Sequence, residues 1–316
     1  MVNDYIHAGI AMLIFPGGLF ALATGLLFKG MDRIAVARLQ RRVGPPMLQP
    51  VFDIIKLSTK EILVPESANE TVFKLAPMMG LMGSLVCAAL VPIAGVWNGI
   101  PGAGDIFVLL YLFSLPALSF ILGGSSSSSP FGAIGFSREM VIMFAYEIPL
   151  LATLLAVAVR ADWQLSLDGI IAYQTANGPF LLDPIMIPAF LAYLMFIPGT
   201  MGIGLFDIPE AEEEVIEGPV LEYSGPLLAL FNLMSAVKLM VVLNLGVALF
   251  FPLLLPGGIW VNLPFHLVKC LALMLVAVSL FRASTGRLRI DQAFNFFLKY
   301  PSSLAYVSLL GAYLLR

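Results

Sequence analysis

Seven carboxylates crowd into the sixteen residues from Asp207 to Glu222, within the stretch FDIPEAEEEVIEGPVLEYSG: Asp207, Glu210, Glu212, Glu213, Glu214, Glu217 and Glu222. Ile208, Val215, Ile216, Val220 and Leu221 are interleaved with them and give the segment an apolar side to bury. Asp207, Glu210, Glu214 and Glu217 fall at helical spacing on one stripe. Carboxylates crowded on one partly buried face cannot all stay ionised, because like charge and desolvation both raise carboxyl pKa values. Such a cluster can exchange protons near neutral pH, which is what a proton relay or an electrostatic switch needs. The alternative is a solvated acidic loop.

A second set of charges interrupts apolar runs. Glu139 and Glu147 are eight residues apart, on roughly one helical face, and Lys238 and Lys269 each break a long hydrophobic stretch, Lys269 beside His266 and Cys270. An ionisable side chain at membrane depth is expensive and is a functional candidate by default, above all for a proton path. The bland alternatives are that Arg138 and Glu139 mark an interface, and that Lys269 snorkels or pairs for structure.

The elements that must hold these groups are membrane helices. The chain has 316 residues, 59% hydrophobic and only 12% charged, against about 25% charged in a soluble domain. Too few charges remain to make a soluble surface, so the fold class expected is all-α, a polytopic membrane protein of about eight transmembrane helices in a single membrane domain over 1–316. A span takes roughly 20 apolar residues. Eight stretches qualify, about 8–28, 75–96, 106–123, 140–159, 184–205, 226–250, 263–281 and 300–315, the last being the shortest. The first lacks the basic start and short apolar run of a signal peptide.

Thirteen of the seventeen Lys and Arg residues fall on one side of this arrangement, in the loop 29–74, before the fourth span at Arg138, and in the loop 282–299. The positive-inside rule makes that side cytoplasmic and leaves both termini outside. The acidic segment 206–225 then lies on the cytoplasmic side. Outside, only 160–183 is long enough for a lid helix. The run Ser125–Ser129 reads as a flexible turn.

The inventory excludes resident redox groups. Two cysteines, Cys87 and Cys270, and two histidines, His7 and His266, cannot supply the four ligands of an iron–sulfur cluster or a structural zinc. A net charge of −3 gives no support for nucleic-acid binding. In the first loop, Arg38, Arg41 and Arg42 lead into Gly44-Pro45-Pro46. An amphipathic stretch follows, with Val51, Ile54, Ile55, Ser58 and Ile62 near helical spacing and Asp53 and Lys56 among its polar positions. It suits either the membrane surface or a soluble partner.

Four motifs, in order, resemble one family. RRVGPPMLQPVFDIIKLSTKE resembles the first cytoplasmic loop of the membrane protein shared by respiratory complex I and by membrane-bound hydrogenases. GGSSSSSPFGAIGFSREMVIMFAYE resembles the family's Gly-Gly-x-Ser-Ser…Arg…Tyr-Glu element, FDIPEAEEEVIEGPVLEYSG its acidic loop, and RASTGRLRIDQ its last cytoplasmic loop. Complex I members usually carry Asn-Arg-x-Pro before the Phe-Asp of the acidic loop, whereas Ile203-Gly204-Leu205 stand there here. The GPPMLQP and EEEVIEGP wording is closer to the branch of nickel–iron hydrogenases that includes formate hydrogenlyase and energy-converting types.

The resemblance implies a membrane anchor and coupling subunit that itself carries no cofactor. The nickel–iron centre and iron–sulfur clusters are expected in partners: hydrogenase large and small subunits, an iron–sulfur protein and antiporter-like membrane subunits. It implies proton-path roles for Glu139, Glu147, Asp207, Glu210, Glu214 and Glu222, beside Glu217, Lys238 and Lys269 from the residues themselves. Arg38, Arg41, Arg42 and Arg138, with Asp53, Lys56, Arg287 and Arg289, are expected to be docking or structural charges. The expected location is the plasma membrane of a bacterium or archaeon. The competing readings are a quinone-site subunit of complex I, the equivalent subunit of a ferredoxin-linked sulfur-reducing complex, and a stand-alone secondary transporter. The last expects repeat symmetry, which the sequence does not display convincingly.

Overall fold

The computed structural model describes residues 9–100, 104–209 and 218–315, so Glu210, Glu212, Glu213, Glu214 and Glu217 of the acidic segment lie outside the described residues. After a short helical turn at 9–13 come α1 (Gly18–Leu39), α2 (Gln49–Ser58), α3 (Glu70–Leu90), α4 (Ile106–Ser126) and α5 (Pro130–Arg160). They are followed by α6 (Leu167–Asn177), α7 (Ile187–Met201), α8 (Gly225–Phe250) and α9 (Ile259–Met274). A π-helical turn (Leu275–Ser279) joins α9 to α10 (Leu280–Ser284), and α11 (Ile290–Lys299) and α12 (Pro301–Leu314) end the chain.

Six helical stretches among the described residues are long and apolar enough to cross a membrane: Gly9–Leu39, Glu70–Leu90, Ile106–Ser126, Pro130–Arg160, Gly225–Phe250 and Ile259–Ser284. The other two expected spans are helical but shorter, α7 with 15 residues and α12 with 14. At 1.5 Å per residue α7 is ~22 Å long, less than the ~30 Å hydrocarbon core.

The axis of the bundle is α8. Every residue from Ala236 to Phe250 is buried, and α1, α2, α3, α7 and α9 pack around it. α4 packs on α3, α5 on α4, and α12 closes the bundle against α5 and α7. The outer helices leave large apolar residues exposed, such as Met82, Tyr111, Val268 and Leu310, as a bilayer or a membrane partner requires.

Several loops are more ordered than expected. α1 runs well past Phe28, so Lys29, Asp32, Arg33 and Arg38 are helical. The polar loop expected between the third and fourth spans shrinks to a tight turn, since α4 extends to Ser126 and α5 starts at Pro130. Ser126, Ser127 and Ser129 are buried, with the Ser126 and Ser127 hydroxyls donating to the carbonyls of Gly123 and Gly124, and Ser128 to that of Ser67. The residues of α5 before the expected span, Glu139 among them, thereby join the helix. In the long loop 160–183, α6 is capped by Ser166, whose hydroxyl accepts from the Gly169 N–H at 3.2 Å, and it packs against α8.

Candidate functional site

α7 stops short inside the protein. Gly202 follows it in the left-handed region (φ 60°), its N–H donates to Gly199, and the Ile203 N–H donates to Pro198 at 3.0 Å. This is a Schellman ending, in which a residue without Cβ is favoured at the left-handed position. It satisfies the carbonyls of Pro198 and Gly199 and leaves that of Thr200, which accepts a hydrogen bond from the Lys238 ammonium near the middle of α8.

Around this contact lies a cleft of about 50 Å³ lined by Glu139, Thr200, Met201, Gly202, Asp207, Ser235 and Lys238, together with Phe120 and Pro209. Glu139 comes from α5, Ser235 and Lys238 from α8, and Asp207 from the turn after α7. Lys238 is buried, 5% exposed, within electrostatic reach of Glu139. Two carboxylates, of which Asp207 is exposed, an ammonium, two hydroxyls and a helix carbonyl end therefore line one small space, where a proton can be held and handed on.

A second, larger cavity of about 410 Å³ shares Met201, Gly202, Asp207 and Ser235 with this cleft and extends to Lys29, Asp32, Arg33, Asn232 and Arg282. Asp207 and Ser235 stand on both, so the two spaces adjoin, and polar groups line them from Asp32 of α1 and Arg282 of α10 to Lys238. The wall of the larger one holds a charge that sequence reading passed over. Asp32 is 4% exposed, accepts from the Ser279 hydroxyl at 2.6 Å and pairs with the Arg282 guanidinium at 3.1 Å. Its signal was an acid between Lys29 and Arg33, hidden because the region reads as a basic loop.

Not every candidate joins this run. Glu147 is half-buried two turns further along α5 and lines neither space. The buried hydroxyls of Tyr146, next to it in the chain, and of Thr200, on the cleft wall, approach one another without a well-formed hydrogen bond. Glu222 is half-buried beyond the 3-10 turn Gly218–Val220. That turn packs so closely on α5 that a Cβ at Gly135 would lie 2.5 Å from the Pro219 side chain. Arg138 donates to the Ile208 carbonyl at 3.4 Å and fixes the other end of the acidic segment.

Lys269 sits elsewhere. It donates to the carbonyls of Leu253 at 2.9 Å and Phe251 at 3.4 Å, just past the end of α8, where a cation also meets the negative end of the helix dipole. Beside it His266 Nε2 lies 2.8 Å from Asn244 Oδ1 and 3.5 Å from Cys270 Sγ. Among the described residues no three His, Cys, Asp or Glu side chains converge on a metal-sized site.

Apart from Arg138, the charges expected to dock a partner lie in the first and last loops. Arg33 pairs with Asp53 at 3.0 Å, and Gln49 donates to the same carboxylate at 2.9 Å, tying α2 to α1. Arg38, Arg41, Arg42, Lys56, Arg287 and Arg289 belong to these surface loops, with Arg289 3.7 Å from Asp291. Exposed Leu39, Val43, Leu48, Phe52 and Ile55 share the first loop, which is therefore apolar as well as basic.

An all-helical bundle with several membrane-length helices and charged groups set among them fits one class: the membrane subunit of a respiratory-type complex. The family model described as NADH dehydrogenase matches residues 10–313, and the chain belongs to that family. It is 35% identical to formate hydrogenlyase subunit 4 of Escherichia coli (strain K12), over 93% of this chain and 96% of that one. It is 32% identical to the H subunit of the NADH-quinone oxidoreductase of Dehalococcoides mccartyi (strain CBDB1), over 96% of this chain and 86% of that one. Among solved structures it is similar to a chain of the membrane-bound sulfane sulfur reductase, an archaeal respiratory membrane complex, with TM-score 0.86, 25% identity and coverage of 98% and 99%.

Proposed function

We propose that this chain is the membrane anchor and proton-path subunit of a hydrogenase-type respiratory complex, linking redox chemistry in a peripheral arm to ion translocation. The observation that carries the reading is the polar run from Arg282 and Asp32 through Asp207 to Glu139 and Lys238. It connects the side of the molecule bearing the basic loops to titratable groups in the bundle. The basic, apolar face of α1, α2 and the loop between them receives the arm.

In this reading the nickel–iron centre and iron–sulfur clusters belong to hydrogenase large and small subunits and an iron–sulfur protein, and antiporter-like subunits pack on the exposed apolar helices. The complex sits in the plasma membrane of a bacterium or archaeon, with both termini of this chain outside. The hydrogenase assignment draws on the similarity to formate hydrogenlyase subunit 4 and on the Ile203-Gly204-Leu205 sequence before Phe206. The test is to purify the intact complex and compare hydrogen evolution with quinone reduction and sulfur reduction. Hydrogen evolution with a metal-free membrane subunit is the expected outcome. Quinone or sulfur reduction without hydrogen evolution would move the chain to another branch, and a metal cluster in this subunit would overturn the reading.

A further inference from the structure

The ending of α7 has a consequence for the cleft beyond proton transfer. The carbonyl end of a helix carries partial negative charge. In transporters, the carbonyl ends of half-helices buried at membrane depth coordinate alkali cations. Here such an end meets the Glu139 carboxylate, Asp207 and the Ser235 side chain around one small space. Thr200 adds a hydroxyl that is buried, borders the cleft and makes no well-formed hydrogen bond to a protein group. All of these groups offer oxygen. The one cationic group that lines the cleft among the described residues is the Lys238 ammonium, held by the Thr200 carbonyl.

We propose that Lys238 is a tethered substitute for a free alkali cation: the carbonyl end of α7, the Glu139 carboxylate and the Thr200 and Ser235 hydroxyls form a monovalent-cation site that the lysine occupies. A tethered ammonium fills the site at an effective concentration that solution sodium cannot match. The native site is therefore indifferent to the salt outside. Removing the side chain leaves a half-buried carboxylate and a helix end without their counter-charge, a costly state that a sodium-sized cation relieves. This goes beyond the proposed function and does not depend on it, because the site is read through stability.

The test uses the intact complex carrying Lys238→Ala, with thermal inactivation measured in sodium chloride, potassium chloride and choline chloride at equal ionic strength. Binding to the folded state alone stabilises it by mass action. Sodium is expected to raise the inactivation temperature of K238A by several degrees over choline and to leave the wild type unchanged. The double variant Glu139→Gln/Lys238→Ala, which lacks the carboxylate, is expected to lose the sodium response. If K238A fails to assemble in low-sodium medium, the yield of complex from sodium-rich against choline-supplemented cultures reads the same property. An equal salt response in K238A and wild type, an undiminished response in the double variant, or an absent complex at every sodium level would overturn the proposal. Normal coupling in a Glu139→Gln variant would bear on the proton path alone.

Discussion

The Ser279 hydroxyl donates to the Asp32 carboxylate at 2.6 Å across 247 positions of sequence, pinning the π turn after α9 to the first helix. Arg282, one turn further on, takes the other oxygen of the same carboxylate. The buried acid is thereby held by two donors from a single helical stretch.

Asp32→Ala removes the acceptor and leaves both donors facing a cavity. A loss of about 2–4 kcal/mol is expected, because the acid is buried although Arg282 is half exposed. Ser279→Ala should cost about 1–2 kcal/mol. Thermal inactivation of the solubilised complex checks the order, and a Ser279 variant more damaging than the Asp32 variant would contradict it.

Glu147→Gln keeps the shape of the side chain and removes its proton. Ion pumping per electron is expected to fall sharply, while soluble-arm chemistry assayed with an artificial donor largely survives. The same split is expected for Glu139→Gln, which borders the cleft directly. Vesicle assays of proton or sodium uptake give the readout, and normal pumping in the Glu147 variant would return that residue to a structural role.

On the acidic segment, Glu210→Gln or Glu214→Gln should uncouple the complex, whereas Glu212→Gln, off the stripe, should be nearly silent. Uptake per electron for the three variants decides it. Equal loss in all three means that bulk charge matters and position does not.

Tyr223 supplies a pH-dependent case outside the spans. Its hydroxyl donates to the Phe73 carbonyl at 3.0 Å and its ring stacks on Phe73 at 3.9 Å. Burial pushes the phenol up to about 12, partly opposed by Ser126. The folded state thus favours the protonated phenol. Its contribution is fully present below the ordinary tyrosine range near 10 and is lost as pH rises towards 12. Tyr223→Phe should cost about 1 kcal/mol at neutral pH through the lost hydrogen bond. It should also flatten the stability decline between these two pH values, as followed by alkaline denaturation.

What could be read in advance follows the physics of each residue. Apolar runs announce membrane helices because the bilayer demands them, and so the spans around Lys238 and Glu147 were legible. Lys238 and Glu139 stood out as charges in such runs, yet their meeting at the end of α7 depends on where that helix stops. Nothing local predicted so early a stop except Gly202, whose neighbours Met201 and Ile203 continue the apolar pattern. Lys269 gave the same signal as Lys238 and proved to cap the end of α8, because a lone cation in an apolar run says nothing about which carbonyls it will reach. Asp32 was invisible among basic neighbours, since its burial is imposed by Ser279 and Arg282 from the far end of the chain.

The π turn Leu275–Ser279 also has a genetic meaning. A π turn holds one residue more than an α turn, so everything beyond it is rotated relative to an uninterrupted helix. Before it, His266 and Cys270 meet Asn244 of α8; at its end and after it, Ser279 and Arg282 meet Asp32 of α1. One rod thus serves two neighbours at two different phases. A deletion of a single codon within this stretch would reset the phase and swing Ser279 and Arg282 away from Asp32 together. At this site the reading frame of the helix matters more than the identity of any one residue in it.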